Sequence, residues 1–204
     1  QTSDVSSTYV YISQTNIKRL LAYSSIGHIG YVLVGLASAN EAGISGVVIY
    51  MSIYAIMNIA VFSIILSLKI NNNFIDKINE FTGISKHKPL IALSMAILML
   101  SMSGIPPFAG FFGKFYIFMA AVNANLILLA VLGVISSVIS AFYYLRIIKI
   151  MYFDESENLN IQLNISSQSI FILTLCMFFI CFFIFYPTFL TLIAQNIANH
   201  YFSG

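Results

Sequence analysis

Long apolar stretches separated by polar segments are the main pattern of this chain of 204 residues. They cover residues 20–39, 44–68, 89–122, 126–148 and 169–186, without the period-two alternation of membrane β-strands. A helix rises about 1.5 Å per residue, so such stretches match a hydrocarbon core about 30 Å thick. Backbone amides in lipid need partners within the protein, and helices supply them. The pattern therefore predicts an all-α, polytopic transmembrane helix bundle with about five spans.

The third apolar stretch is too long for one straight helix. Residues 89–122 would extend roughly 50 Å, well beyond a core of about 30 Å. Gly104, Pro106 and Pro107 lie in its middle. Two consecutive prolines remove two backbone donors and clash with the preceding turn. We therefore predict two half-helices joined by an irregular stretch at residues 104–107.

The polar segments define the rest of the organisation. A polar stub (1–19) precedes a five-span membrane domain (20–194), and a short tail (195–204) follows it. The linker at residues 69–88 carries apolar residues at the spacing of one helix face, namely Phe74, Ile75, Ile78 and Phe81. We expect a short helix there, lying in the membrane interface with its charges toward water.

The composition agrees with surroundings of lipid. Apolar residues make up 59% of the chain and charged residues 8%, whereas soluble domains carry about 25% charged residues. The net charge of +2 is spread through loops, so binding of nucleic acid is not expected. Cys176 and Cys181 lie in one apolar run without metal-ligand spacing. We therefore expect neither a disulfide framework nor a metal site.

The distribution of charge predicts the orientation. With five spans, the start of the chain and the segments 69–88 and 149–168 share one side of the membrane. Eight of the nine Lys and Arg residues lie on or beside that side, and the turns at 40–43 and 123–125 carry none. This side, named the basic side below, should face the matrix or the cytoplasm.

Lys114, the ninth basic residue, is the main candidate for function. It lies in the second half of the broken span, and eight apolar residues separate it from Asn123. An ammonium there costs several kcal/mol unless it meets water or a partner. Snorkelling to the interface and pairing with another subunit are structural explanations. We favour a proton-carrying role, because ion paths in transporters lie at discontinuous helices.

His28 in the first span is the second candidate, with Ser24 and Ser25 close to it. A lone histidine can serve only as a structural hydrogen-bonding group. However, imidazole titrates near neutral pH, which suits a proton relay. Tyr50 and Tyr54 lie four residues apart on one stripe of the second span. The stripe favours packing, although Tyr54, Ser24 and Ser25 could also line a hydrated path.

Other polar features suggest no further chemistry. Tyr143 and Tyr144 lie beside Arg146 at the end of the fourth span, and we interpret them as part of an interfacial aromatic belt. The sequence has no Gly-rich phosphate loop, no cysteine cluster and no plausible pair of haem-ligating histidines. We therefore expect this chain to bind no redox cofactor.

Two motifs resemble the antiporter-like membrane subunits of respiratory complex I. The first is QTNIKRLLAYSSIGHIGY at residues 14–31. The second is LSMSGIPPFAGFFGKFYIF at residues 100–118, which resembles NADH dehydrogenase subunit 2 more than its two sister subunits. The runs Tyr-Tyr-Leu-Arg at 143–146 and His-Lys-Pro at 87–89 also match subunit 2. The resemblance extends from about Gln14 to Pro187.

The resemblance implies a proton-pumping module of NADH:ubiquinone oxidoreductase. FMN, iron–sulfur clusters and ubiquinone would bind elsewhere in that complex, and other membrane-arm subunits and lipid would be the partners. Lys114 would end a hydrophilic axis between proton input and exit, and His28 would act as a relay in it. Tyr54 stands where the sister subunits have a second histidine, so the relay there would use water or hydroxyl groups.

The chain also departs from the family, because it resembles only the last five of the family's spans. Either a separate chain carries the N-terminal part, or this is a reduced subunit kept for structure. We favour the split. Frequent Ile, Phe, Asn and Tyr with no Trp suggest an organelle genome and the mitochondrial inner membrane, with a bacterial plasma membrane as the alternative. A subunit of a multisubunit monovalent cation/proton antiporter and a non-pumping scaffold remain alternative functions.

Overall fold

The computed structural model describes residues 14–70, 73–154, 161–163, 167–183 and 185–203, and most of them are helical. Helices α1 to α8 are, in chain order, Ile17–Ala37, Glu41–Ile65, Ile84–His87, Pro89–Ser103, Ala109–Asn123, Ile127–Tyr152, Ser167–Phe182 and Thr188–Ser203. Among the described residues, α1, α2 and α6 have the length and apolarity to cross a membrane, and α4 and α7 are shorter apolar helices. The predicted all-α class and the break in the third span are confirmed.

Helix α2 lies at the centre of the bundle and packs against α1, α4, α5, α7 and α8. Its buried residues recur every three or four positions, and they include Ile53, Met57, Ala60 and Ile64. The side chain of Asn40 starts this helix by accepting a hydrogen bond of 2.7 Å from the amide of Gly43. Because α2 is buried on several faces, the neighbouring helices can surround polar groups that point toward the centre of the bundle.

The chain breaks between α4 and α5 through a helix-ending turn. Gly104 has a φ of 86°, a left-handed conformation that glycine adopts without steric cost. Its amide donates to the carbonyl of Ser101 at 3.0 Å, and the amide of Ile105 donates to Leu100 at 3.1 Å. These two bonds form a Schellman motif, which ends α4 at mid-span.

The second half-helix begins directly against the first. The amide of Gly110 in α5 donates to the hydroxyl of Ser101 in α4 at 3.1 Å. A Cβ atom at position 110 would lie 1.9 Å from the Ser101 carbonyl oxygen. Only a glycine therefore permits this approach of the two half-helices.

The linker on the basic side folds differently from the prediction, and the expected single helix through residues 74–81 is wrong. Strand β1 (Leu68–Ile70) pairs antiparallel with β2 (Asn73–Phe74) and with β3 (Ile161–Leu163), and a short 3₁₀ helix covers Ile78–Phe81.

Long-range backbone bonds explain the difference. The amide of Ile17 donates to Asp76 at 2.9 Å, and the amide of Ile78 donates to Thr15 at 2.7 Å. These bonds hold residues 76–78 extended beside the start of α1. The side chains of Ile75, Ile78 and Phe81 still reach the core, as their spacing suggested, whereas Phe74, predicted to lie on the same face, is 54% exposed.

The C-terminal segment also carries structure. Residues 195–203 of the expected tail continue α8, which packs against α2 and buries Ala194 and Ala198.

Replacing Gly110 with Ala should destabilise the protein, because the contact atoms are backbone and cannot rotate away. We expect a loss at or above the upper end of the about 1–3 kcal/mol typical of overpacking. The measurement is the Tm of the protein in detergent. Gly27→Ala is the matched control, since no atom would lie within 4 Å of its Cβ. Equal Tm values for the two variants would contradict the close approach.

Candidate functional site

Lys114 lies in the second turn of α5, and its side chain is buried, with 4% exposed. Its ammonium donates to the carbonyl oxygens of Met102 and Ser103, both at 3.1 Å. It also donates to the hydroxyl of Ser137 in α6 at 2.8 Å. The amine therefore turns inward to the break in the third span, and it does not reach the protein surface by snorkelling.

The two prolines explain why these carbonyl oxygens are available. In a continuous α-helix the carbonyls of Met102 and Ser103 would accept from the amides at positions 106 and 107. Both positions are proline, and neither Pro106 nor Pro107 has an N–H. The Lys114 ammonium supplies the missing donors. It also lies at the negative end of the α4 dipole, where a cation is stabilised.

Glycine leaves the space that this contact needs. A Cβ atom on Gly104 would lie 3.0 Å from Cδ and 3.2 Å from Nζ of Lys114. The residue that ends α4 therefore also makes room for the lysine.

An aromatic side chain separates the lysine from the histidine. The Lys114 amine lies 4.9 Å from the ring centroid of Tyr31, a distance at which the ring face attracts a cation. The ring of Tyr31 packs edge-on against those of His28 and Tyr50, with centroids 6.0 Å apart in each case. The buried Tyr31 hydroxyl has no hydrogen-bond partner among the described residues.

His28 lies in α1, is 3% exposed and bonds through both ring nitrogens. Its Nδ1 is 2.5 Å from the hydroxyl of Tyr50, and its Nε2 is 3.0 Å from the hydroxyl of Tyr144. The hydroxyl of Tyr144 is in turn 2.9 Å from that of Ser24. The ring of Tyr54 stacks on the imidazole with centroids 4.3 Å apart. Three helices, α1, α2 and α6, thus meet at this histidine.

This chain of hydrogen bonds allows two proton arrangements. In the first, the Tyr50 hydroxyl donates to Nδ1 of His28, Nε2–H donates to Tyr144, and the Tyr144 hydroxyl donates to Ser24. In the second, every donor and acceptor is reversed. One proton entering at Tyr50 and one leaving at Ser24 converts the first arrangement into the second. The hydrogen-bond geometry is therefore compatible with proton transfer along this chain.

The site contains a buried amine without a carboxylate nearby. In the part of the chain that the structure describes, the acidic residues lie at helix ends or in loops, and they are Glu41, Asp76, Glu80 and Asp154. The neighbours of Lys114 are carbonyl oxygens, a hydroxyl and a ring face. Neutral dipoles thus surround the amine. A cavity of about 640 Å³ between α5 and α6 includes Lys114, Ser137 and Gly104 in its lining.

The structure brings most of the predicted residues together. Gly104 and the two prolines form the break beside Lys114. Tyr54 stacks on His28, and Ser24 is linked to His28 through the hydroxyl of Tyr144. Ser25 does not join this group, because its hydroxyl donates to the carbonyl of Ala22 in its own helix. The functional roles of these residues stay predictions.

The assignment of Tyr143 and Tyr144 to an interfacial belt is wrong. Tyr143 is 8% exposed and Tyr144 is fully buried, because this part of α6 packs inside the bundle. Sequence reasoning also missed Tyr31 and Ser137. A hydroxyl facing inward on an apolar helix is a weak signal, since serine often bonds its own backbone.

A family comparison covers more than half of the chain. The model of the NADH:quinone oxidoreductase/Mrp antiporter transmembrane family matches residues 2–140.

Individual proteins are similar as well. NADH-quinone oxidoreductase subunit N of Rhodospirillum rubrum is 56% identical over 148 residues, which cover 72% of this chain and 30% of that protein. A chain of respiratory complex I from Thermus thermophilus has a TM-score of 0.76 at 26% identity, covering 92% of this chain and 42% of that one. A chain of the Mrp complex from a Dietzia species shares the fold, with a TM-score of 0.78 at 18% identity, covering 94% and 44%. This chain thus spans less than half the length of these relatives.

Two tyrosine substitutions should have different effects on stability. Tyr144→Phe removes the described hydrogen-bond partner of Nε2 of His28 and of the Ser24 hydroxyl, and should cost about 1–3 kcal/mol. Tyr31→Phe removes a hydroxyl without a partner among the described residues and keeps the ring beside Lys114, so stability should be equal or higher. Thermal unfolding in detergent measures both. A larger loss for Tyr31→Phe would show that its hydroxyl is bonded in the membrane.

Proposed function

The chain belongs to the NADH:quinone oxidoreductase/Mrp antiporter transmembrane family, and from this premise we propose that it is the C-terminal part of the antiporter-like subunit 2 of complex I. It would contribute half of a proton-translocation path to the H⁺-translocating NADH:ubiquinone reductase. The observation that carries the proposal is the buried Lys114 amine, held at the helix break beside Tyr31 and the His28 relay.

The proposed proton carriers are Lys114 and His28, each with a distinct task. Lys114 holds or releases a proton at the break, where the carbonyls of Met102 and Ser103 stabilise the ammonium. Loss of the proton removes the charge that these dipoles face and weakens the contact between the two half-helices. His28 passes protons between the Tyr50 and Ser24 ends of its hydrogen-bonded chain. Ser24 and Tyr54 line this path.

The proposed chain acts without a redox centre of its own. NADH oxidation and quinone reduction would occur in other subunits, which would hold FMN, iron–sulfur clusters and ubiquinone. This chain would respond to those reactions through the protonation state of Lys114. Translocation would therefore be coupled to, and not part of, electron transfer.

The proposal also specifies the partner chains and the membrane in which the protein would lie. A separate chain would carry the N-terminal part of the subunit. Other membrane-arm subunits would complete the path. The use of Ile, Phe, Asn and Tyr with no Trp supports the mitochondrial inner membrane, and the bacterial relative equally fits a plasma membrane.

A monovalent cation/proton antiporter is the second candidate function. The chain of the Mrp complex shares the fold. The family to which the present chain belongs is named for both NADH:quinone oxidoreductases and Mrp antiporters. Sodium-dependent pH recovery that is insensitive to NADH and to quinone-site inhibitors would favour this function. The motif around Lys114 favours complex I instead.

Lys114→Met should lower proton translocation while the complex still assembles, because the thioether keeps the apolar stem and loses the proton site. Removal of a proton-transferring side chain predicts a loss of about tenfold or more through this path. The measurement is proton uptake per NADH oxidised in proteoliposomes. Lys149→Met, at the exposed end of α6, is the control. Normal translocation by an assembled Lys114→Met complex would favour a non-pumping scaffold.

A further inference from the structure

A groove of about 700 Å³ lies between α4 and α7, away from the proton carriers. Both helices begin on the predicted basic side and run in the same direction. The lining residues are His87, Lys88, Pro89, Leu90, Ile91, Leu93, Ser94, Ile97, Ile170, Leu173, Thr174 and Met177. The groove thus has a basic end and two long walls.

The walls are apolar along their whole length. Their two hydroxyl residues bond inside their own helices, with Ser94 donating to Leu90 and Thr174 donating to Ile170, both at 2.9 Å. No polar group of the walls therefore needs a partner from the occupant. From Lys88 to Ile97 the groove extends about 14 Å, close to half of a core of about 30 Å. This is the depth of one leaflet.

The basic end of the groove carries His87 and Lys88. Neither His87 nor Lys88 has an acidic partner among the residues that the structure describes. The Lys88 side chain is half-buried and does not cap α4. Its ammonium thus lies at the end of the groove where an anion at the membrane surface would bind.

We infer that this groove binds an anionic phospholipid of the basic-side leaflet. Its phosphate lies at His87 and Lys88, and an acyl chain occupies the space between α4 and α7. Basic pockets between transmembrane helices on this side of a membrane attract anionic head groups. Packing of a further helix favours small residues, whereas leucine, isoleucine and methionine make up most of these walls. Lipid binding here is independent of the proton path.

The test uses the assembled membrane complex, stripped of lipid in detergent. It is titrated with phosphatidylglycerol that carries a photoreactive acyl chain, and labelled peptides are identified by mass spectrometry. We expect labelling at residues 90–97 and 170–177, and little labelling by the matching phosphatidylcholine.

Charge variants separate a specific site from general attraction. Lys88→Gln should weaken phosphatidylglycerol labelling about fivefold, since a basic residue in contact with the phosphate of a bound anionic lipid contributes about that much to its binding. Lys86→Gln removes the same charge two residues away, outside the groove, and should change labelling less than twofold. Equal losses for both variants, or equal labelling by phosphatidylcholine, would overturn the inference.

Wall variants test the acyl-chain position. Ile170→Trp places a large ring in the groove and should lower labelling, whereas Phe171→Trp on the exposed face of α7 should not. Both positions are exposed to the membrane, so the bundle core stays intact. Cross-links from the wild-type walls to another polypeptide, in place of lipid, would also overturn the inference.

Discussion

The hydrogen bonds between the Lys114 ammonium and the carbonyls of Met102 and Ser103 are the contact on which the site depends. A broken helix in lipid exposes backbone acceptors that water cannot reach, and a buried amine lacks its hydration shell. Each is costly alone. Together the two groups satisfy one another, which makes the break and the lysine a single structural unit.

The histidine cluster is built on a different principle, since its members are neutral hydroxyl and imidazole groups. Each hydroxyl can donate or accept, so the chain stays bonded in either direction of proton order. Its members come from α1, α2 and α6, whereas the lysine comes from α5. Tyr31 lies between the two clusters, and its ring contacts both. The two parts of the site are thus joined by the ring of Tyr31, whose hydroxyl has no hydrogen-bond partner among the residues that the structure describes.

Local chemistry decided which features the sequence could predict. The break followed from Pro106 and Pro107, and the inward amine followed from the apolar residues around Lys114. Contacts between residues that are far apart in the sequence could not be predicted. The linker is not a single helix because β1 pairs with β2 and β3, and because Asp76 and Ile78 form backbone bonds with Ile17 and Thr15. The burial of Tyr144 reflects helix packing. Periodicity found the buried side of the linker but not its backbone conformation.

Thermodynamic reciprocity follows from the way Lys114 bridges the break. The protonation state of Lys114 and the position of the C-terminal end of α4 are coupled by one interaction free energy. The effect of each on the other is therefore equal in free energy. A displacement of α4 by a neighbouring subunit, even of an ångström, would therefore alter the proton affinity of the amine without touching it. The broken helix can in this way couple mechanical strain in the membrane to the protonation of a single site, the amine of Lys114.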